Sequence, residues 1–125
     1  MGSVNKIVIV GRVKHDMTMF SGDNGFSAMT MYVVTTENMP KKGSAERINV
    51  TDNHRVVLFG KMAAFAIKNV AEGDIVAVTG RLCYKRYTDN NGVERHVTEI
   101  VAKEFELIAR FQDSRWQVIQ EVDAE

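Results

Sequence analysis

With 125 residues, 45% of them hydrophobic and 26% charged, the chain has the size and composition of one globular domain. No apolar run approaches the ~18 residues that a membrane-spanning helix needs. A predicted strand begins almost at the N-terminus, so we expect neither a membrane anchor nor a targeting leader. Cys83 is the single cysteine, which excludes an intrachain disulfide and is typical of a reducing compartment. We therefore expect a cytoplasmic protein.

The net charge is zero, but the charges are unevenly distributed. Residues 1–103 carry 14 Lys and Arg against 10 Asp and Glu, whereas residues 104–125 carry 2 against 6. A mildly basic body therefore precedes an acidic tail. A net charge of zero neither favours nor excludes a polyanionic partner, so the position of the cations along the chain matters more.

Two strands are predicted in the first third of the chain. The first covers Val4–Val13, which is rich in β-branched residues, and Gly11 marks a bulge or a close approach of two backbones. The segment Ser21–Gly25 contains two glycines and predicts a hairpin turn. Alternation of side chains predicts the second strand at Phe26–Glu37.

Residues 38–52 are predicted to form a long, basic, mobile loop, within which Arg47–Val50 is a candidate for a short hairpin. The strand Asn53–Phe59 follows, and its alternation places Arg55 and Phe59 on the same face. A buried strand face does not normally carry an arginine. This face is therefore expected to bind a ligand or to contact water.

One helix is predicted directly after this strand. Gly60 breaks the strand, and apolar residues then recur at three- and four-residue spacing from Met62 to Val70. Gly73 is predicted to stop the helix, because glycine readily adopts the backbone conformation found after a helix.

Two further strands form a predicted hairpin. They cover Ile75–Thr88 and Val93–Ala102, and residues Asp89–Gly92 between them end in Asn-Gly, which favours a type I′ turn. The segment Glu104–Phe111 extends the last strand. Residues Asp113–Glu125 fit both a short capped helix and a strand, and the sequence favours neither.

The order of these elements is β-β-β-α-β-β. It predicts an all-β protein, a five-stranded OB-fold Greek-key barrel with one short helix between strands 3 and 4. We expect one such domain over residues 1–111 and a short acidic tail over residues 112–125.

Cations and aromatic rings occur together on the predicted strands and loops, as single-stranded nucleic acid requires. Rings stack on bases at ~1–3 kcal/mol each, and cations neutralise phosphates; neither interaction depends on base sequence. Arg86 alternates away from its two neighbours, so both faces of its hairpin can contact one strand of nucleic acid only if that strand wraps round it. The candidate residues are Arg55, Phe59, Lys61, Lys85, Arg86, Tyr87, Lys41 and Lys42.

Signatures of enzymes are absent from the sequence. The histidines His15, His54 and His96 and the single Cys83 do not have the spacing of a zinc site. No phosphate-binding glycine loop and no activated nucleophile is present. We predict no catalysis, no metal and no cofactor.

Five segments resemble the bacterial and mitochondrial-type single-stranded DNA-binding proteins, in the same order and with the same spacing. They are VNKIVIVGRV at 4–13, HRVVLFGKMA at 54–63, Gly73-Asp74, TGRL at 79–82 and YTDNNGVERHVTEI at 87–100. The resemblance covers residues 4–103. It implies an OB-fold that assembles as a homotetramer and wraps single-stranded DNA in replication, recombination and repair.

The resemblance also implies roles for particular residues. Phe59 and Tyr87 match stacking aromatics, and His54 matches a histidine at the subunit interface. The first strand resembles the edge that pairs subunits, and an exposed edge needs such a cover. The phosphate-binding positions are Arg55, Lys61, Lys85 and Arg86, and the edge is Lys6, Ile7, Val8, Ile9 and Val10.

The sequence departs from the family pattern at two stacking positions and in its tail. Met39 and Asn53 stand where many relatives carry tryptophan; a methionine can lie against a base, whereas Asn53 offers no ring. The acidic end EVDAE lacks the family's Pro-Phe tip, so replication and repair partners and a phage, plasmid or organelle origin remain open. The alternatives are a primosome-type interaction protein that binds DNA weakly and an RNA-binding OB module.

Overall fold

The computed structural model of the chain describes residues 2–21, 27–112 and 115–118. These residues form strands and one helix. In chain order they are β1 Ile7–Ser21, β2 Ser27–Pro40, β3 Arg47–Phe59, α1 Gly60–Asn69, β4 Ile75–Thr88, β5 Glu94–Gln112 and β6 Arg115–Val118. Most of the predicted turn at Ser21–Gly25 and the acidic residues 119–125 lie outside the described residues.

The strands form one sheet in the order β3-β2-β1-β4-β5-β6, and neighbours in this order are antiparallel. A parallel pairing of Val56 and Val57 in β3 with Ile100 and Val101 in β5 closes the first five strands into a ring. The single helix lies between β3 and β4 in the chain. The predicted all-β OB-fold with one helix after its third strand is confirmed, and β6 is an addition to it.

The hydrophobic core lies within this ring. On β3, Val56 and Leu58 are fully buried, whereas Arg55 and Phe59 keep part of their surface in water. Arg55 and Phe59 thus lie on the side of this strand that contacts water, one of the two alternatives expected from the sequence. The largest fully buried side chains are Met29, Met31, Leu58, Val13, Val33, Val56, Val76 and Val78, and α1 adds Ala63 and Ala66 to the same cluster.

Two glycines allow the strands to approach closely. A Cβ atom on Gly11 would lie 2.3 Å from the carbonyl oxygen of Val34, and one on Gly80 would lie 2.1 Å from that of Val101. Any other residue would force the neighbouring backbone to move. The close approach predicted at Gly11 is thus found.

The prediction of a long loop over residues 38–52 is wrong. β2 continues to Pro40 and β3 begins at Arg47, which leaves only a short turn between them. The side chains of this extension are almost all exposed and many are polar, and some form hydrogen bonds across the strands, as Thr36 Oγ1 does with Thr51 Oγ1 at 3.2 Å. Without a buried face there is no apolar alternation, and the sequence pattern therefore resembled a loop.

The first strand also differs from its predicted bounds of Val4–Val13. β1 begins at Ile7 and continues to Ser21, with a register shift in its pairing to β2. Asn5 lies just before β1, and its side-chain amide makes the hydrogen bonds to β4 that the backbone of a strand would otherwise make. Its Nδ2 donates to the Leu82 carbonyl and its Oδ1 accepts from the Leu82 N–H, both at 2.9 Å.

The β4–β5 hairpin lies where the sequence predicted it, but its turn is not the predicted type I′. The Gly92 N–H donates to the Asp89 carbonyl and the Asp89 N–H donates to the Val93 carbonyl, both at 3.0 Å. Gly92 has a φ of 80°. These features are those of a three-residue loop that ends in a glycine bulge. The Asp89 carboxylate favours this loop because it accepts the N–H groups of Asn91 and Val93.

The ends of the helix are set by backbone conformation and backbone hydrogen bonds rather than by capping side chains. Gly60 adopts a φ of 63° where β3 becomes α1. Val70 is the C-cap and donates its N–H to the Ala66 carbonyl. Gly73, predicted as the helix stop, instead lies in the turn that follows, with a φ of 95°. No helix in the described part of the chain has the length and apolar character of a membrane span.

The end of β5 and the strand β6 close over the turn that follows the helix. Asp74 is buried, and its two carboxylate oxygens accept the backbone N–H groups of Ala71 at 2.9 Å and Phe111 at 3.0 Å. Trp116 of β6 lies against Phe111, with ring centroids 5.0 Å apart, and donates its indole N–H to the Gly73 carbonyl. A strand therefore forms within the segment for which the sequence favoured neither alternative.

Candidate nucleic-acid interface

One face of β2 and β3 carries a basic and aromatic group of side chains. Tyr32 of β2 lies opposite Arg55 of β3. Val57 and Phe59 follow Arg55 on the same side of the strand, because alternate residues face the same way. Val57 is 7% exposed and forms the floor between its two larger neighbours.

The β4–β5 hairpin continues this face. Glu99 of β5 lies opposite Cys83 of β4, which places it on the same side as Lys85 and Tyr87. The contact of Glu99 with Arg55 joins the two parts of the surface. We call this surface the Arg55 face; it consists of Tyr32, Arg55, Phe59, Lys85, Tyr87 and Glu99.

A buried carboxylate lies at the centre of the Arg55 face. The Arg55 Nε–H donates to Glu99 Oε2 at 2.9 Å, and Arg55 Nη1 donates to the Tyr32 hydroxyl at 3.2 Å. The other oxygen of Glu99, Oε1, lies 3.1 Å from Lys85 Nζ, at the distance of an ion pair but without a well-directed hydrogen bond. One carboxylate therefore holds two cations in fixed positions.

The pKa values of this cluster follow from its contacts. Burial alone would raise the pKa of the Glu99 carboxyl, but the interactions with Arg55 and Lys85 together outweigh it and hold the pKa below its usual value of 4.5. The hydrogen bond to Glu99 raises the pKa of Arg55. Both shifts favour the charged forms, so Glu99 and Arg55 form an ion pair at neutral pH.

Both candidate stacking rings are accessible on the Arg55 face. Phe59 is 39% exposed at the end of β3, and Tyr87 is 53% exposed near the end of β4. A ring that is half covered by its own strand can still offer a flat side to a base. Lys61 is exposed at the start of α1, two residues after Phe59. The structure thus places the main stacking candidates beside cations.

Two predicted binding residues are not brought to this face. Arg86 alternates to the other side of β4, where its Nη1 lies 3.7 Å from Glu94 Oε2. Met39 pairs with Ile48 on the side of the β2–β3 hairpin opposite to Arg55. DNA that contacts these residues as well has to pass round an edge of the sheet.

The remaining predicted residues lie along the β2–β3 hairpin. Asn53 is on the same side of β3 as Arg55, two residues before it, and faces Val34 across the strands. Lys41 and Lys42 are exposed at the tip of the hairpin, where Lys41 Nζ lies 3.9 Å from a carboxylate oxygen of Glu46. These cations are therefore carried on a strand extension rather than on a long loop.

Sequence reasoning missed Tyr32 and Glu99. The signal for Glu99 was present, because it alternates with Val97 and Val101 and is thus a carboxylate on a largely apolar side of its strand. A buried carboxylate needs a cationic partner. Arg55 was a suitable cation, because the sequence had assigned it no carboxylate partner.

A second surface lies on the opposite side of β2 and β3, beside β1. His54 Nε2 is 2.9 Å from Thr35 Oγ1, while Val8 and Val10 of β1 are more than half exposed. β4 pairs with one edge of residues 7–11; their other edge has no strand partner within residues 2–21, 27–112 and 115–118. We call this the His54 face; it consists of Val8, Val10, Thr35 and His54. It holds three of the six predicted subunit-interface residues, namely Val8, Val10 and His54.

Among the residues that the structure describes, no three His, Cys, Asp or Glu side chains lie together where they could hold a metal ion. The Arg55 face presents cations, rings and one carboxylate already paired with two cations. Such an arrangement can bind an extended polyanion with exposed bases.

Residues 4–108 match the sequence profile of the Single-strand binding protein family. This chain belongs to that family. The Single-stranded DNA-binding protein 1 of Xylella fastidiosa (strain 9a5c) is 32% identical over 114 residues, which are 91% of this chain and 84% of that protein. The predicted family is therefore confirmed.

A solved structure supports the same assignment. The Plasmodium falciparum SSB in its complex with ssDNA is similar to this chain with a TM-score of 0.80 and 25% identity, over 86% of this chain and 97% of that one. The similarity extends over nearly the whole of the other chain, so the ring and its helix are those of the family fold.

Proposed function

We propose that this protein binds and protects single-stranded DNA without regard to sequence, through the Arg55 face, as a homotetramer in DNA replication, recombination and repair. Its membership of the family supports the choice of ligand. The observation that carries the choice of surface is the accessibility of Phe59 and Tyr87 on the face that also holds Arg55 and Lys85. We expect the protein to act by binding alone.

The chemistry of this face accounts for binding without sequence preference. Each ring can stack on any base, and each cation releases condensed counterions when it meets a phosphate. The bases of a duplex are already paired and stacked, and separating them costs a few kcal/mol per step, so single strands are preferred. With Met39 on the other side of the hairpin and an asparagine at position 53, stacking depends mainly on Phe59 and Tyr87.

The test is a titration of a labelled oligo-dT with the protein at low and at moderate salt, followed by anisotropy. Duplex DNA and oligo-U of the same length serve as controls. Tight binding to oligo-dT that weakens with salt, with duplex DNA ignored, is expected. Preference for oligo-U would instead support an RNA-binding module. Absence of binding at low salt would support a protein-docking role.

The proposed tetramer uses the His54 face. Exposed valines beside an unpaired strand edge are typical of a surface that is covered by another subunit. Light scattering should give four times the 14.0 kDa mass of one chain. Val10→Glu should reduce this mass, whereas Val4→Glu, at an exposed valine before β1, should leave it unchanged.

A further inference from the structure

Glu99 is the one acidic residue of the Arg55 face, and its environment is unusual for a carboxylate on a surface that binds a polyanion. Its side chain is only 6% exposed, whereas those of its partners Arg55 and Lys85 are 36% and 57% exposed. The carboxylate thus lies beneath two cations that remain accessible from outside. DNA phosphates can reach the cations without touching Glu99.

We infer that Glu99 is a built-in counter-ion that competes with DNA phosphates for Arg55 and Lys85 and so limits the affinity and salt dependence of binding. This inference rests on the proposed function. Glu99 acts through the two cations and is therefore a positioning residue. It holds the guanidinium and the ammonium groups close together, and it cancels one of their two charges.

A comparison within the same hairpin shows why burial matters. Glu94 also pairs with a candidate cation, Arg86, but at 3.7 Å and with both side chains more than half exposed. Water and salt screen such a pair. Glu99 is shielded from water and contacts its cations at 2.9 and 3.1 Å, so its charge acts on the incoming phosphate with little screening.

The perturbation that separates charge from geometry is Glu99→Gln. The glutamine has the same shape and keeps an oxygen that can accept the Arg55 Nε–H, but it no longer carries a charge. In this variant the two accessible cations present two positive charges to the DNA, whereas the wild-type cluster of Arg55, Lys85 and Glu99 has one net positive charge. A variant that merely disturbs the fold would weaken binding, whereas loss of an internal competitor strengthens it.

The experiment measures binding of labelled oligo-dT to wild type, E99Q and the matched control E94Q over a series of salt concentrations. For E99Q we expect an affinity roughly three- to thirtyfold higher at low salt and a salt slope steeper by about one. For E94Q we expect a change of less than about twofold, because the pair it breaks is exposed.

Equal or weaker binding by folded E99Q, with an unchanged salt slope, would overturn the inference while leaving the proposed function intact. If wild type itself fails to bind oligo-dT, the proposed function fails and the inference falls with it. If E99Q does not fold, the variants R55Q and R55Q/E99Q test the inference instead. The double variant has two neutral side chains in place of the Arg55–Glu99 ion pair. The double variant should recover most of the affinity that R55Q loses; no recovery would overturn the inference.

Discussion

The contribution of Tyr87 to DNA binding can be predicted from its position. It is 53% exposed on the Arg55 face, which leaves one side of its ring open to a single base. One stacked base is worth ~1–3 kcal/mol. Tyr87→Ala should therefore raise the dissociation constant by roughly 30-fold, corresponding to about 2 kcal/mol.

The same strand provides a matched control. Tyr84 is 75% exposed but alternates to the other side of β4, away from Lys85 and Tyr87. Tyr84→Ala should change the dissociation constant by less than about twofold, and Tyr87→Phe should bind almost as wild type because the ring is kept. Anisotropy with labelled oligo-dT measures all three variants.

The salt dependence distinguishes stacking from charge. Tyr87→Ala should leave the slope of log affinity against log salt unchanged, since no charge is removed, whereas Lys85→Gln should reduce that slope by about one. The reasoning is refuted if Tyr84→Ala weakens binding more than Tyr87→Ala does. The other side of the hairpin would then carry the stacking platform.

Three further predictions concern stability. Gly80→Ala, whose Cβ would lie 2.1 Å from a backbone oxygen, should lower the free energy of unfolding in urea by about 2 kcal/mol or more, while Gly2→Ala, with open space around it, should have no effect. Asp74→Ala removes a buried acceptor of two backbone N–H groups and should destabilise by about 3 kcal/mol in the same assay; a loss below ~1 kcal/mol would show that the turn does not depend on it. Because the pKa of Glu99 is lowered on folding, its stabilisation is complete above pH 4.5 and is lost as the pH falls through the folded-state pKa. Wild type should thus lose more stability than E99Q as the pH is lowered below 4.5, and equal losses would contradict the role of the ion pairs.

The elements that could be predicted from sequence are those with one buried side and those that begin or end at a glycine. Alternation within β3, the helix after Gly60 and the full extent of Ile75–Thr88 are all visible as patterns of apolar residues and glycine. The stacking and phosphate candidates on β3 and β4 could be named for the same reason, because a ring or a cation interrupts an apolar pattern.

What could not be predicted depends on contacts between distant residues. Arg55 and Glu99 are 44 positions apart, and only the closing of the ring brings them together. The extension of β2 to Pro40 is exposed on both sides and has no periodic signal. The separation of Met39 from the Arg55 face follows from the register of this extension, which a predicted loop does not have.

The central claim is that single-stranded DNA lies on the Arg55 face. Ultraviolet crosslinking of the protein to oligo-dT, with the crosslinked residues identified by mass spectrometry, tests it most directly. Crosslinks at Phe59 and Tyr87 are expected, because both rings are placed to stack on bases. Crosslinks confined to Val8, Val10 or Trp116, with none on the Arg55 face, would contradict the account.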